Sequence, residues 1–154
     1  MERSIPVSRG LALFVLALVL LVVPPAARAD HALVLIASAD SPLKTVSSLD
    51  LRKLYLGFVV NSETGQQIHA ITNNSDSRVK EIFLQNVVVM SARSYDRRLL
   101  TLTLQTGRHR PEIYTDPCDV LNRVASNSLT ISFVWKEDAD SRDDIKILRV
   151  LWQQ

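Results

Sequence analysis

ITNNSDSRVKEIF, residues 71–83, decides how the chain is read. An apolar run, Ile68 to Ile71, stops in six polar residues, Thr72 to Ser77, and an apolar-periodic segment follows. A strand that passes through small polar residues into a helix is the repeating unit of an α/β sheet. The passage also leaves the first N–H groups of the helix without partners, at the positive end of its dipole. Those donors take either an anion or a capping side chain. Ser75 and Ser77 offer hydroxyls, and Arg78 offers a charged fork suited to an oxyanion. Asn73 and Asn74 tolerate backbone angles that aim successive N–H groups into a nest. The same stretch serves as an ordinary cap, with Ser75, Asp76 or Ser77 at the N-cap. In that case the Asp76 carboxylate takes the place an anion would occupy.

The flanking sequence repeats the alternation of strand and helix. Ala32–Ala37 (ALVLIA) is continuously apolar, as a strand covered on both faces must be. Ser47 or Ser48 caps a helix through Leu51, Leu54 and Tyr55, stopped at Gly57. Residues 67–72 form the second strand, and a helix runs from about Ser77 to Val88 with Val79, Ile82, Phe83, Asn86 and Val87 on one side. Residues 91–105 carry both periods: Tyr95, Leu99 and Leu102 fit a helical face, while Leu100 to Leu104 alternates like a strand. A helix stopped by Gly107 is the expectation. Asp116-Pro117 starts a helix with Val120, Leu121 and Val124 inside, since Asp caps and Pro fits the first turn. Residues 129–135 and 145–151 alternate as strands.

Residues 1–29 are expected to be a secretory signal rather than part of the fold. Arg3 and Arg9 precede an unbroken apolar run of 13 residues, Leu11 to Val23, and Ala27 and Ala29 stand at the two cleavage positions. That run is short of the roughly 20 residues of a spanning helix. The expected product is a periplasmic domain of residues 30–154; the alternative is an uncleaved anchor in the inner membrane. The whole chain has 18 Lys+Arg and 16 Asp+Glu; three arginines and one glutamate leave with the signal, giving 15 against 15. A neutral domain has no global field to attract nucleic acid. Charge is uneven locally: Arg93, Arg97, Arg98, Arg108 and Arg110 lie close together, and 137–144 is acidic apart from Arg142. Both are expected to be solvated surfaces.

The side chains that carry chemistry are few. Cys118 is the lone cysteine, so the domain rests on its core rather than on a disulfide, and a small buried role is expected for it. His31, His69 and His109 share no metal-ligand spacing, and His69 reads as a packed or edge side chain of a strand. No nucleophile–base signature appears, so no catalytic residue, metal or cofactor is expected. Ser38, Asp40 and Ser41 follow the first strand, a place where α/β proteins bind ligands.

Three segments in order resemble one family. LVLIASADSPLKTVSSLDLRKLYLG (33–57) resembles its strand, turn and helix ending in I/L-Y/F-L-G. IHAITNNSDSRVKEIF (68–83) takes the place of its strand, R-x-x-G-S-G-T turn and helix. TGRHRPEIYTDPCDVLNRVASNSLTISFV (106–134) takes the place of F-x-G-x-x-x-P, a short helix and P-G-A-I-G-Y-V. The family is the type 2 periplasmic-binding proteins, specifically the substrate-binding components of phosphate ABC transporters. The resemblance implies a single-lobe α/β domain with a mixed sheet flanked by helices. It implies phosphate or a similar oxyanion bound weakly near Ser75 and Ser77, with Arg78, Asn74, Ser38 and Ser41 assisting, and an ABC permease or other periplasmic protein as partner. Asn74 and Asp76 stand near the two glycines of the turn, and the leading arginine is absent. The alternative is a ligand-less interaction module, docking through 93–110 or 137–144. A homodimer built through either segment would restore a two-sided cleft.

Overall fold

The computed structural model describes residues 31–154; the expected signal, 1–29, lies outside them. Five strands form one mixed sheet: β1 (Ala32–Ser38), β2 (His69–Asn73), β3 (Glu112–Tyr114), β4 (Thr130–Trp135) and β5 (Ile145–Gln153), in the order β3-β2-β4-β1-β5. β2 runs parallel to both β3 and β4, whereas β1 is antiparallel to β4 and β5. All seven residues of β1 are buried. Leu33, Leu35 and Ala37 enter one core, and Val34 and Ile36 enter the other, on the opposite face. The α/β class and the two-sided burial of ALVLIA are as the sequence indicates.

The helices sort onto the two faces. α1 (Ser48–Tyr55), α2 (Ser77–Phe83) and α3 (Ala92–Thr106) contribute Leu51, Tyr55, Val79, Phe83, Tyr95 and Leu99 to the larger core. There Phe83 stacks on Phe133, with ring centroids 3.8 Å apart. α4 (Pro117–Ala125) and α5 (Lys136–Asp140) cover the other face with Val120, Leu121, Val124 and Ala139. The caps act as expected: Ser47 accepts from Asp50 N, and Asp116 accepts from Cys118 N and Asp119 N. The ambiguous segment is a helix over Ala92–Thr106, capped at Ser91 and closed by Gly107 at φ 65°. β3 and α5 were not expected from the sequence. Cys118 is exposed rather than buried, because it sits in the first turn of α4 on the side away from Val120 and Val124.

The helix expected from Ser77 to Val88 changes character within its length. After Phe83 it widens into a π turn, Leu84–Val88, which inserts a residue and puts Leu84, Val87 and Val88 together in the core. Val89 ends it at φ 59°, ψ 48°, and Met90 N donates to Leu84 O at 3.0 Å. A β-branched residue is costly in this left-handed region. Val89 is exposed, so little packing is lost on truncation. Replacing it with glycine is expected to raise stability by about 1 kcal/mol in urea unfolding, the relief of strain exceeding the entropy glycine adds to the unfolded chain.

Two buried tyrosines tie α1 and α3 to the sheet. Tyr95 Oη donates to Tyr55 O at 2.7 Å, and Tyr55 Oη donates to Ile71 O at 3.1 Å. Burial pushes both phenols above the ordinary tyrosine value, and a neighbouring group adds to it: Tyr95 for Tyr55, and Asp96 for Tyr95. The folded values lie above the unfolded value of about 10, so this contribution is complete below pH ~10 and is lost as pH rises beyond it. The urea midpoint is expected to fall above that pH, and to fall less steeply in Tyr95→Phe than in the parent.

Candidate functional site at the ends of the parallel strands

β2, β3 and β4 run in the same direction, and each passes directly into a helix: α2, α4 and α5. Three helix N-termini therefore gather along one end of the sheet, where open α/β folds receive ligands. The turn 73–78 is one of them. His31 and Trp152–Gln154 belong to the same end, because Ala32 pairs with Gln153 and Leu33 with Trp135.

The turn is built around Asn73, which is 1% exposed. Its Nδ2 donates to Phe133 O at 3.0 Å, anchoring β2 to β4. Its Oδ1 accepts from Ser75 N at 3.0 Å and from Ser75 Oγ at 2.6 Å. Both Ser75 donors are thus directed at a neighbouring side chain. Asn74 N donates to Tyr114 O at 2.8 Å. Among the described residues only Val89 is a non-glycine with positive φ, so Asn73 and Asn74 do not adopt the left-handed angles of a nest. Of the three cap candidates, Asp76 is the one used: its Oδ1 accepts from Arg78 N at 2.8 Å. Its Oδ2 accepts from Trp135 Nε1 at 3.2 Å. Arg78 is exposed and reaches Gln154 Oε1 at 3.3 Å; Ser77 is exposed at the helix start.

The other helix starts carry carboxylates as well. Asp116 caps α4, and Glu137 and Asp138 lie in the first turn of α5. Glu137 meets His31 Nδ1 at 3.1 Å, and the His31 ring lies 5.4 Å from that of Trp135. Desolvation, then the charge of Glu137, raises the Asp138 carboxyl above its ordinary value. Every positive helix end here faces an acidic side chain of its own chain. No group of His, Cys, Asp and Glu among the described residues is arranged to hold a metal ion.

Ser38 and Ser41 do not join this site. β1 runs against β2 and β4, so Ser38 lies beyond the Ala37–Ile131 pair, at the far end of the sheet from Trp135 and Asn73. Four strand residues separate the two ends, about 13 Å. Ser41 Oγ accepts from Leu43 N at 3.2 Å and Ser38 Oγ from Asp40 N at 3.4 Å, so both serve the turn after β1. Their assignment beside Ser75 is corrected on this ground: sequence order gives a strand's end but not its direction. His69, the first residue of β2, is exposed. Trp135 is the residue of this end that sequence reasoning passed over. An indole N–H closing a half-buried strand needs an acceptor, and that is the one signal Trp135 gave.

Asn73 is the structural hinge of the arrangement, and its loss should show as instability. Asn73→Ala leaves Phe133 O and Ser75 N without their partner, an expected cost of about 2 kcal/mol in urea unfolding. Ser75→Ala, which removes a half-exposed hydroxyl, is expected to cost less than about 1 kcal/mol.

No model of a protein family matches this chain, and no curated protein matches it in sequence. Solved structures do. An ABC-type phosphate transport receptor from Vibrio cholerae superposes with a TM-score of 0.58 at 12% identity, over 78% of this chain and 46% of that one. PstS from Borrelia burgdorferi gives a TM-score of 0.56 at 14% identity, over 77% and 47%. The chain spans about half the length of the proteins it matches. At such identities the likeness speaks for the fold alone, and the fold is that of the phosphate ABC transporter substrate-binding proteins.

Proposed function

We propose that the protein is an exported, non-enzymatic lobe of solute-binding type that works as a protein-interaction module, its anion seat filled by its own carboxylate. The observation that carries this reading is Asp76. Its two oxygens hold the Arg78 N–H and the Trp135 indole N–H, the donors a bound oxyanion would need. A second anion would meet the Asp76 carboxylate at close range, and two like charges in one site repel. An ABC permease, another periplasmic protein or a second copy of the chain are the partners this reading admits. Of the two docking segments, 93–110 fits better than 137–144. Arg142 holds Asp144 in a two-pronged pair and also donates to Asn122, while Lys136 pairs with Asp140, so much of the acidic run is already matched.

The rival reading is weak oxyanion binding at Ser75, Ser77 and Arg78 with Asn74 beside them. Exposed Ser77 and Arg78 at the start of α2, and the fold shared with a phosphate transport receptor, favour it. One titration separates the two. Thermal unfolding is followed with phosphate, sulfate and chloride at matched ionic strength, for the parent and for Asp76→Gly. A ligand confined to the folded state adds RT ln(1 + [L]/Kd), about 2.7 kcal/mol at a hundredfold excess. The expected result is a saturating phosphate-specific rise in Asp76→Gly that the parent does not match. A saturating rise in the parent that Ser75→Ala with Ser77→Ala abolishes would establish the rival and end the first reading.

A further inference from the structure

At the opposite end of the sheet, where β2, β3 and β4 begin, lies a cavity of about 390 Å³. Its roof is the segment that follows α3. Gly57, at φ 78°, lets this segment approach so closely that a Cβ there would stand 3.1 Å from His109 O. The Arg108 guanidinium then sits over the Phe58 ring, 4.2 Å from its centroid. Arg110 and Arg123 also line the cavity, with Glu112 as its only acidic residue. Glu112 is already engaged, by Arg123 at 3.8 Å and by Tyr114 Oη at 3.0 Å. Neither Arg108 nor Arg110 has a carboxylate within ion-pair distance among the described residues. The remaining wall includes Leu54, Phe58, Val59, Ile68 and Pro111.

A pocket of this size, apolar on one side with a few convergent charged groups, has the make-up of a small-molecule site. Two guanidiniums without anionic partners supply planar, forked donors for a carboxylate or phosphate group. We propose that this cleft binds a small organic anion, its acidic group received by Arg108 and Arg110 and its apolar body lying against Phe58 and Val59. The site is independent of the turn at 73–78, which lies at the other end of the sheet, and it makes the Arg108–Arg110 part of the basic segment a ligand contact rather than bare surface. Free organic acids and organic phosphates share the required chemistry.

The test uses phenyl phosphate and inorganic phosphate as probes, titrated to low millimolar concentration, with backbone amide shifts as the readout. Phenyl phosphate is expected to move the amides of 57–59 and 108–112 saturably, and to bind more tightly than inorganic phosphate. Arg108→Ala with Arg110→Ala, both at exposed positions, is expected to weaken it at least about tenfold. Phe58→Ala is expected to reduce phenyl phosphate to the level of inorganic phosphate. Asp76→Gly, which opens the other end, is expected to leave these shifts unchanged. Any of three results overturns the proposal: no saturable shift with phenyl phosphate, equal affinity for the two probes, or binding undiminished in the double arginine variant. Shifts confined to 73–78 would place the anion at the other end and overturn it as well.

Discussion

The Ile71 carbonyl is the point on which the two sides of the larger core agree. It accepts from Tyr55 Oη, which belongs to α1, and from Ser132 Oγ at 3.1 Å, which belongs to β4. Tyr55 O in turn accepts from Tyr95 of α3. Two residues further along β2, Asn73 reaches Phe133 O. All these groups are buried, so each bond is held in a low dielectric and each would be costly to leave unmade. Among the described residues no buried side-chain polar atom lacks a partner. The stacked Phe83 and Phe133 rings fill the space beside this network, with the Tyr55 ring 4.5 Å from Phe83 and 5.6 Å from Phe133. Apolar packing supplies most of the stability; the polar chain fixes which strand and which helix face meet.

The sheet has two electrostatically distinct ends. Where the parallel strands finish, three helix starts face Asp76, Asp116, Glu137 and Asp138. Where they begin, Arg108, Arg110 and Arg123 gather around one cleft. Carboxylates at helix N-termini are individually worth a few tenths to about 1 kcal/mol. Here they also oppose the positive potential of the helix ends. Fold and ligand are separable properties, and the likeness to phosphate transport proteins belongs to the first.

Local features were legible in the sequence, and pairing direction was not. ALVLIA announced a strand covered on both faces, because an unbroken apolar run has no side to turn to water. Ser47 and Asp116 announced helix starts, because capping is a contact within a few residues. β3 escaped notice: it is three residues long and its Ile113 is 58% exposed, so it carries no apolar pattern. α5 lay hidden in an acidic run, where Ala139 alone is buried. The antiparallel setting of β1 depends on partners distant in sequence, and it puts Ser38 and Ser41 at the end of the sheet opposite Ser75. Asp76 was recognised as a rival to any anion, yet the indole that completes its role stands 59 positions away.

The position of β1 has a consequence for how the chain acquires its fold. β1 opens the described chain, and its two neighbours in the sheet are β4 and β5: Leu33 pairs with Trp135 and with Trp152. The most deeply buried strand has no local partner to wait with. Closing such distant pairs costs loop entropy before any burial repays it, which slows folding. During synthesis β1, continuously apolar from Ala32 to Ala37, stays uncovered along one edge until β4 near residue 135 is available, and along the other until β5 near 153 is. The topology therefore delays closure of the sheet and leaves the apolar first strand in need of shielding until its distant partners arrive.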